Sequence, residues 1–187
     1  MPPLVPKLPE GSPYFGLLAE FKGPGPLLHG CEQVRDAGYT KWDAHSPFPV
    51  HGLDRAMGIR PSVLPWIVLI LGLGGAVGAM FLQWWVATTA YPLVISGKPF
   101  FSWQAFVPVT FEVGVLIAAI GAVFGMLILN RLPMHFHPLF ASQRFERATD
   151  DAFFISVESW DPRFDPQATA QLLEQAGATH VELIDAA

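Results

Sequence analysis

At 187 residues, with 51% hydrophobic and only 14% charged side chains, the chain lies well under the roughly 25% charged content of soluble domains and leans toward the membrane class. Its net charge of −5 offers no basic field for nucleic acid, and no arginine-rich stripe or aromatic single-strand platform occurs, so a nucleic-acid partner is excluded. Cys31 is the only cysteine, which leaves no internal disulfide and no cysteine-held cluster.

Residues 1–13 form a proline-rich arm without an apolar core to be cleaved, and the first hydrophobic run starts near Val63, too late for a secretory signal. The next stretch reads as a half-buried strand, with Phe15, Leu17, Ala19 and Phe21 on one side. A helix follows, with Pro26 in its first turn, Leu27, Leu28, Cys31 and Val34 on its apolar face and Gly38 as its stop. A short strand from Tyr39 to Ala44 closes this half, and residues 14–61 make a β-α-β unit with its linker.

From Ser62 through Gly97, and again from Val113 through Asn130, no Asp, Glu, Lys, Arg or His occurs. Those are membrane lengths, since a bilayer core takes about 20 helical residues. Spans are expected at 62–90 and 103–130, joined by an outer loop at 91–102. Arg55 and Arg60 precede the first span and Arg131, Arg144 and Arg147 follow the second, while the loop has only Lys98. The positive-inside rule then places both termini in the cytoplasm, and Trp84, Trp85, Tyr91, Phe100, Phe101 and Trp103 mark the outer interface.

Small residues recur in both spans: Gly72, Gly74, Gly75 and Gly78 in the first, Gly114, Ala118, Gly121, Ala122 and Gly125 in the second. Such faces let helices approach closely, within the hairpin or against a neighbouring subunit, with Gly74, Gly78, Gly121 and Gly125 the candidate contacts. Glu112 is the one charged group in either expected span, a candidate proton-accepting or partner-anchoring carboxylate. A helix starting near Ser102 would carry it about 15 Å along the axis; one starting near Pro108, only about 6 Å, where Thr110 or the loop could bond it.

The segment 131–152 reads as an interfacial linker. Its His135 and His137 sit in RLPMHFHPLF, an elbow in which the imidazoles meet headgroups or a neighbouring loop. No CxxCH, CxxC or HExxH occurs, and neither span holds a histidine, so no metal or haem is expected in this chain. In 153–187 the pattern returns: a strand from Phe153 to Ser159, a helix capped by Asp165 with Pro166 first and Ala168, Leu172, Leu173 and Ala176 as its face, a stop at Gly177, and a strand from His180 to Ile184. Two β-α-β units together make a ferredoxin-like β-α-β-β-α-β sandwich. The expected architecture is therefore an α+β membrane protein whose transmembrane helix hairpin is inserted into that cytoplasmic domain.

The run DAHSPFPVHGLDRAMG from Asp43 to Gly58, the glycine-rich first span, GKPFFSW and FVPVTFE entering the second, and then HPLF and DPRFD together resemble the D subunit of bacterial alternative complex III. The resemblance covers about Tyr14 to Ile184. It implies a two-span subunit of the bacterial inner membrane with no cofactor of its own, in a quinol oxidoreductase whose other subunits carry haems and iron–sulfur clusters. Electrons would pass toward cytochrome c, a high-potential iron–sulfur protein or an oxidase. Its partners would be the large integral quinol-interacting subunits and the lipid bilayer.

The resemblance also draws attention to Ser46, Pro47, Phe48, Pro49 and Val50. Pro47 and Pro49 favour an extended segment with Phe48 exposed unless something covers it. That segment is either a docking contact for the large subunits or a strap against the chain's own domain. No GxGxxG, P-loop or Ser/His/Asp constellation is present, so catalysis by the chain alone is not expected. The alternative is a membrane-tethered regulatory module binding a small ligand, which would need a polar pocket.

Overall fold

The computed structural model describes residues 13–185; most of the proline-rich arm lies outside the described residues. The chain divides into two units, residues 61–133 and a discontinuous unit built from the sequence on either side.

The discontinuous unit is an α+β layer structure. Strand β1 (Tyr14–Phe21) is followed by α1 (Pro24–Asp36), β2 (Trp42–His45) and the short α2 (Leu53–Met57); the C-terminal flank supplies β3 (Phe153–Glu158), α5 (Pro166–Gln175) and β4 (His180–Asp185). The four strands form one sheet in the order β2-β3-β1-β4, with every neighbouring pair antiparallel. The central strands come from opposite flanks, Leu17 lying opposite Val157 and Phe21 opposite Phe153, so neither flank can complete the sheet alone. His45 lies opposite Phe154, so the chain leaves β2 and re-enters β3 at one end of the sheet.

Local chemistry accounts for the helices. Pro24 occupies the first position of α1, where a missing N–H costs nothing, and Gly38 at φ 83° carries the chain out. The Asp165 side chain caps α5, accepting from the Gln167 N–H at 3.0 Å and the Ala168 N–H at 2.7 Å, and Gly177 ends that turn at φ 95°. Both helices cover one face of the sheet, burying Leu27, Cys31, Val34 and Leu173 on Leu17, Ala19, Ile155 and Val157. On α5 the buried face turns on Thr169, Leu173 and Ala176 rather than on Ala168, which is exposed. Thr169 is tolerated there because its hydroxyl meets the Tyr39 hydroxyl at 2.9 Å.

Strand β1 is buried on both faces, not one. A bulge at Tyr14/Gly16 turns Phe15 to the side opposite Leu17, where it joins Leu18, Phe154 and Ile184. That second face is covered by two 3₁₀ segments, Pro138–Ala141 and Arg144–Thr149, which bury Leu139, Phe145 and Ala148. Part of the segment expected to be an interfacial linker is thus a layer of the domain. Each large side chain buried there contributes about 1.5–3 kcal/mol, enough to hold a short segment without a regular helix.

The other unit is a helical hairpin. Helix α3 (Leu64–Trp85) continues through a π-helical turn, Val86–Ala90, and α4 spans Trp103–Leu129. Both are long and apolar enough to cross a membrane, and almost nothing of either is buried, unlike the core helix of a soluble protein.

Candidate functional site

Small residues close the hairpin. A Cβ at Gly114 would lie 3.2 Å from the Ala76 Cβ, and one at Gly75 3.0 Å from Ile117, so the two backbones approach across these positions. Gly121 packs on Leu71 and Gly125 on Leu64, which spends both on internal packing. Gly74 and Gly78 face open space. The Gln83 amide adds a polar clasp: its Nε2 lies 3.2 Å from the Ala79 and Phe106 carbonyl oxygens and from the Thr110 hydroxyl, its two protons shared among three acceptors.

Helix α4 begins at Trp103 with Pro108 inside it, so Glu112 is about 13 Å along the axis. Two positions from the buried Gly114, Glu112 lies about 200° round the helix, on the side away from α3, and it is exposed. Thr110 faces Gln83 instead, and Glu112 has no hydrogen-bond or ion-pair partner among the described residues.

In the sheet domain, Ser46 to Val50 run without regular structure. Val50 packs on the core, while the Phe48 ring meets Phe153 edge-on at 5.4 Å and stays 51% exposed. The Ser46 hydroxyl donates to the Phe48 carbonyl at 2.8 Å. The segment is thus strapped to its own domain by one face of Phe48 and presents the rest outward.

Among the described residues, no three His, Cys, Asp or Glu side chains come together as a metal site. His135 is exposed, whereas the His137 ring stands edge-on to Phe15 at 5.1 Å. His45 meets Phe145 at 5.0 Å, and its Nε2 lies 3.0 Å from the Ser156 hydroxyl. Burial pushes the His45 pKa down and His137 adds to this, against the opposing pull of Asp43; burial likewise lowers His137. A depressed folded-state pKa means that the unfolded chain binds the proton more tightly. The stabilisation is therefore complete above the ordinary histidine pKa of about 6.5 and is lost as pH falls toward the depressed value. Melting of the full-length chain in detergent should occur at lower temperature at pH 5.5 than at pH 7.5. His45→Gln, which can keep the Ser156 bond, should shrink that difference; an unchanged difference would remove His45 as its source.

Cys31 is fully buried, and burial, then Asp43 and Glu32, push its thiol up to about 12, so it is an inert core residue. Arg144 and Arg147 each reach Glu20 at 3.0 Å, and Arg147 also grips Asp151 at 2.8 Å. These two arginines, counted above as topogenic charges, fasten the 3₁₀ layer to β1.

The family model for the ActD subunit of alternative complex III matches residues 15–183. The chain belongs to that family. No curated protein matches significantly. As an ActD-family chain it is a subunit of a respiratory complex whose other subunits are its partners. Sequence reading of this ActD-family chain missed Asp161 and Gln83 and weighed Pro108 only as a helix start; Gln83 carried a signal, a lone amide inside an apolar run.

Proposed function

We propose that the chain is a cofactor-free, non-catalytic, two-span subunit of alternative complex III that supports its assembly and the coupling of quinol oxidation to electron transfer. It sits in the bacterial inner membrane with both termini in the cytoplasm. The observation that carries this is the family match over residues 15–183. The strand order β2-β3-β1-β4, with two helices on one face, supports a ferredoxin-like reading of the domain. The apolar helices support a membrane hairpin, and the groove of about 540 Å³ between them, lined by Leu69, Leu73, Phe111 and Val115, suits a lipid chain or a helix better than a polar ligand. The half-buried His45 and His137 are occupied by aromatic and hydroxyl contacts.

Purification of the tagged native chain in mild detergent tests the reading. Haem absorbance and quinol-dependent reduction of an acceptor should accompany it; a colourless, solitary chain, under conditions that keep other respiratory complexes intact, would overturn it. Phe48 is the domain's docking side chain in this reading. Phe48→Ala should cost the domain only about 1 kcal/mol, the scale of one aromatic pair, yet lower retention of the chain in the complex several-fold. Equal retention, read from subunit ratios, would leave Phe48 as a strap alone.

A further inference from the structure

Pro108 and Glu112 stand one turn apart on the side of α4 away from α3, with Ala105 and Ala119 seven residues to either side of Glu112, and all four are exposed. Proline in a helix interior donates no N–H to the carbonyl four residues back, so the Gln104 carbonyl loses its helical partner on this same side. The outer face of α4 therefore holds two acceptors, the Glu112 carboxylate and, about two turns before it, a freed backbone carbonyl, in a largely apolar setting.

Depth makes them consequential. Helix α4 has 27 residues, so it is about 40 Å long against a hydrocarbon core of about 30 Å. Centred in the bilayer, it puts Glu112 about 8 Å inside the hydrocarbon boundary. A glutamate stem is shorter than the lysine and arginine stems that snorkel to the interface. Unpaired carboxylates and freed carbonyls at such depth are tolerated where protein re-satisfies them.

We propose that this face docks a transmembrane helix of another subunit of the complex, through an arginine or lysine that pairs with the Glu112 carboxylate, with the freed Gln104 carbonyl two turns away open to a second donor of the same helix. The partner's chemistry follows from complementarity, because the site offers acceptors and negative charge and so selects a cationic donor. A second copy of this chain is disfavoured there, since it would set carboxylate against carboxylate. The small Ala105 and Ala119 side chains allow close approach on either side of the pair. The inference rests on the membrane-subunit reading above and adds the face and the partner's chemistry.

The test uses the whole complex, purified through a tag on a haem-bearing subunit from cells carrying Glu112→Asp, Glu112→Gln or Glu112→Leu. The aspartate variant should stay at the wild-type ratio, the glutamine variant fall several-fold and the leucine variant at least tenfold, with equal amounts of each in the starting membranes. Single cysteines at Ala105 or Ala119 should cross-link to an integral subunit; Cys31, fully buried, gives a silent background. Wild-type ratios for both the glutamine and leucine variants, or cross-links only to a second copy, would overturn the docking proposal. If the wild-type chain is itself absent from the haem-containing complex, the underlying subunit reading falls instead, and this proposal with it.

Discussion

Asp161→Ala is expected to loosen the sheet domain by about 3 kcal/mol, the scale set by losing several hydrogen bonds to a charged acceptor. Asp161 is only 5% exposed. One of its oxygens accepts from the Thr40 N–H at 2.6 Å, the Lys41 N–H at 2.7 Å and the Thr40 hydroxyl at 3.1 Å; the other accepts from the Arg163 N–H at 2.8 Å. Thr40 and Lys41 belong to the flank before the hairpin and Asp161 to the flank after it, so the carboxylate joins two stretches that are about 120 residues apart in sequence. The Arg163 guanidinium on the Ala37 carbonyl and the Tyr39–Thr169 hydroxyl pair lace the same seam.

Burial pushes the Asp161 carboxyl up, but the N–H groups of Arg163, Thr40 and Lys41 and the Thr40 hydroxyl outweigh it, holding the group below the usual carboxylate range. With the folded value depressed, its stabilisation is present above the unfolded pKa of about 3.9 and fades as pH falls through the folded value. Acid unfolding of the full-length chain in detergent should therefore begin at higher pH in the alanine variant. Hydrogen exchange of β2 and β3 amides gives the direct measure. Wild-type protection in the alanine variant would show that the seam holds without the carboxylate.

The second large effect is at Gly16, where the bulge forms. A Cβ there would collide with the backbone carbonyl oxygen of Val157 on the neighbouring strand, an atom that no rotamer change can move. Gly16→Ala must part β1 from β3 or undo the bulge, and undoing it returns Phe15 toward the helix face. Overpacking of this kind costs about 3 kcal/mol. The expected result is faster exchange at Leu17, Leu18 and Val157 amides and easier proteolysis of the domain in the full-length chain, with the hairpin helices unaffected. Unchanged exchange would mean that the strands accommodate the methyl.

Much of the fold was legible because short-range chemistry specifies it. Alternation marked the strands, Asp165 with Pro166 announced a helix start, Gly38 and Gly177 announced stops, and two stretches without charge pointed to apolar helices. The resemblance read from the motifs agrees with the family match over residues 15–183. These signals survive in sequence because each depends on a residue and its near neighbours.

What tertiary structure decided depends on residues far apart. The bulge that sends Phe15 to the second face, and the burial of both faces of β1, follow from how β1 meets β3 and β4. Whether a glycine in an apolar span serves the hairpin or faces outward depends on helix rotation: Gly121 and Gly125 turn inward, and Gly74 and Gly78 remain open. The same rotation, with a helix start at Trp103, puts Glu112 on the outer side of α4, which composition and spacing leave undetermined. His137, Arg144 and Arg147 read as interfacial groups until the 3₁₀ layer places them against Phe15 and Glu20. Periodicity fixes which residues share a face of an element; only packing against elements distant in sequence fixes which way that face points.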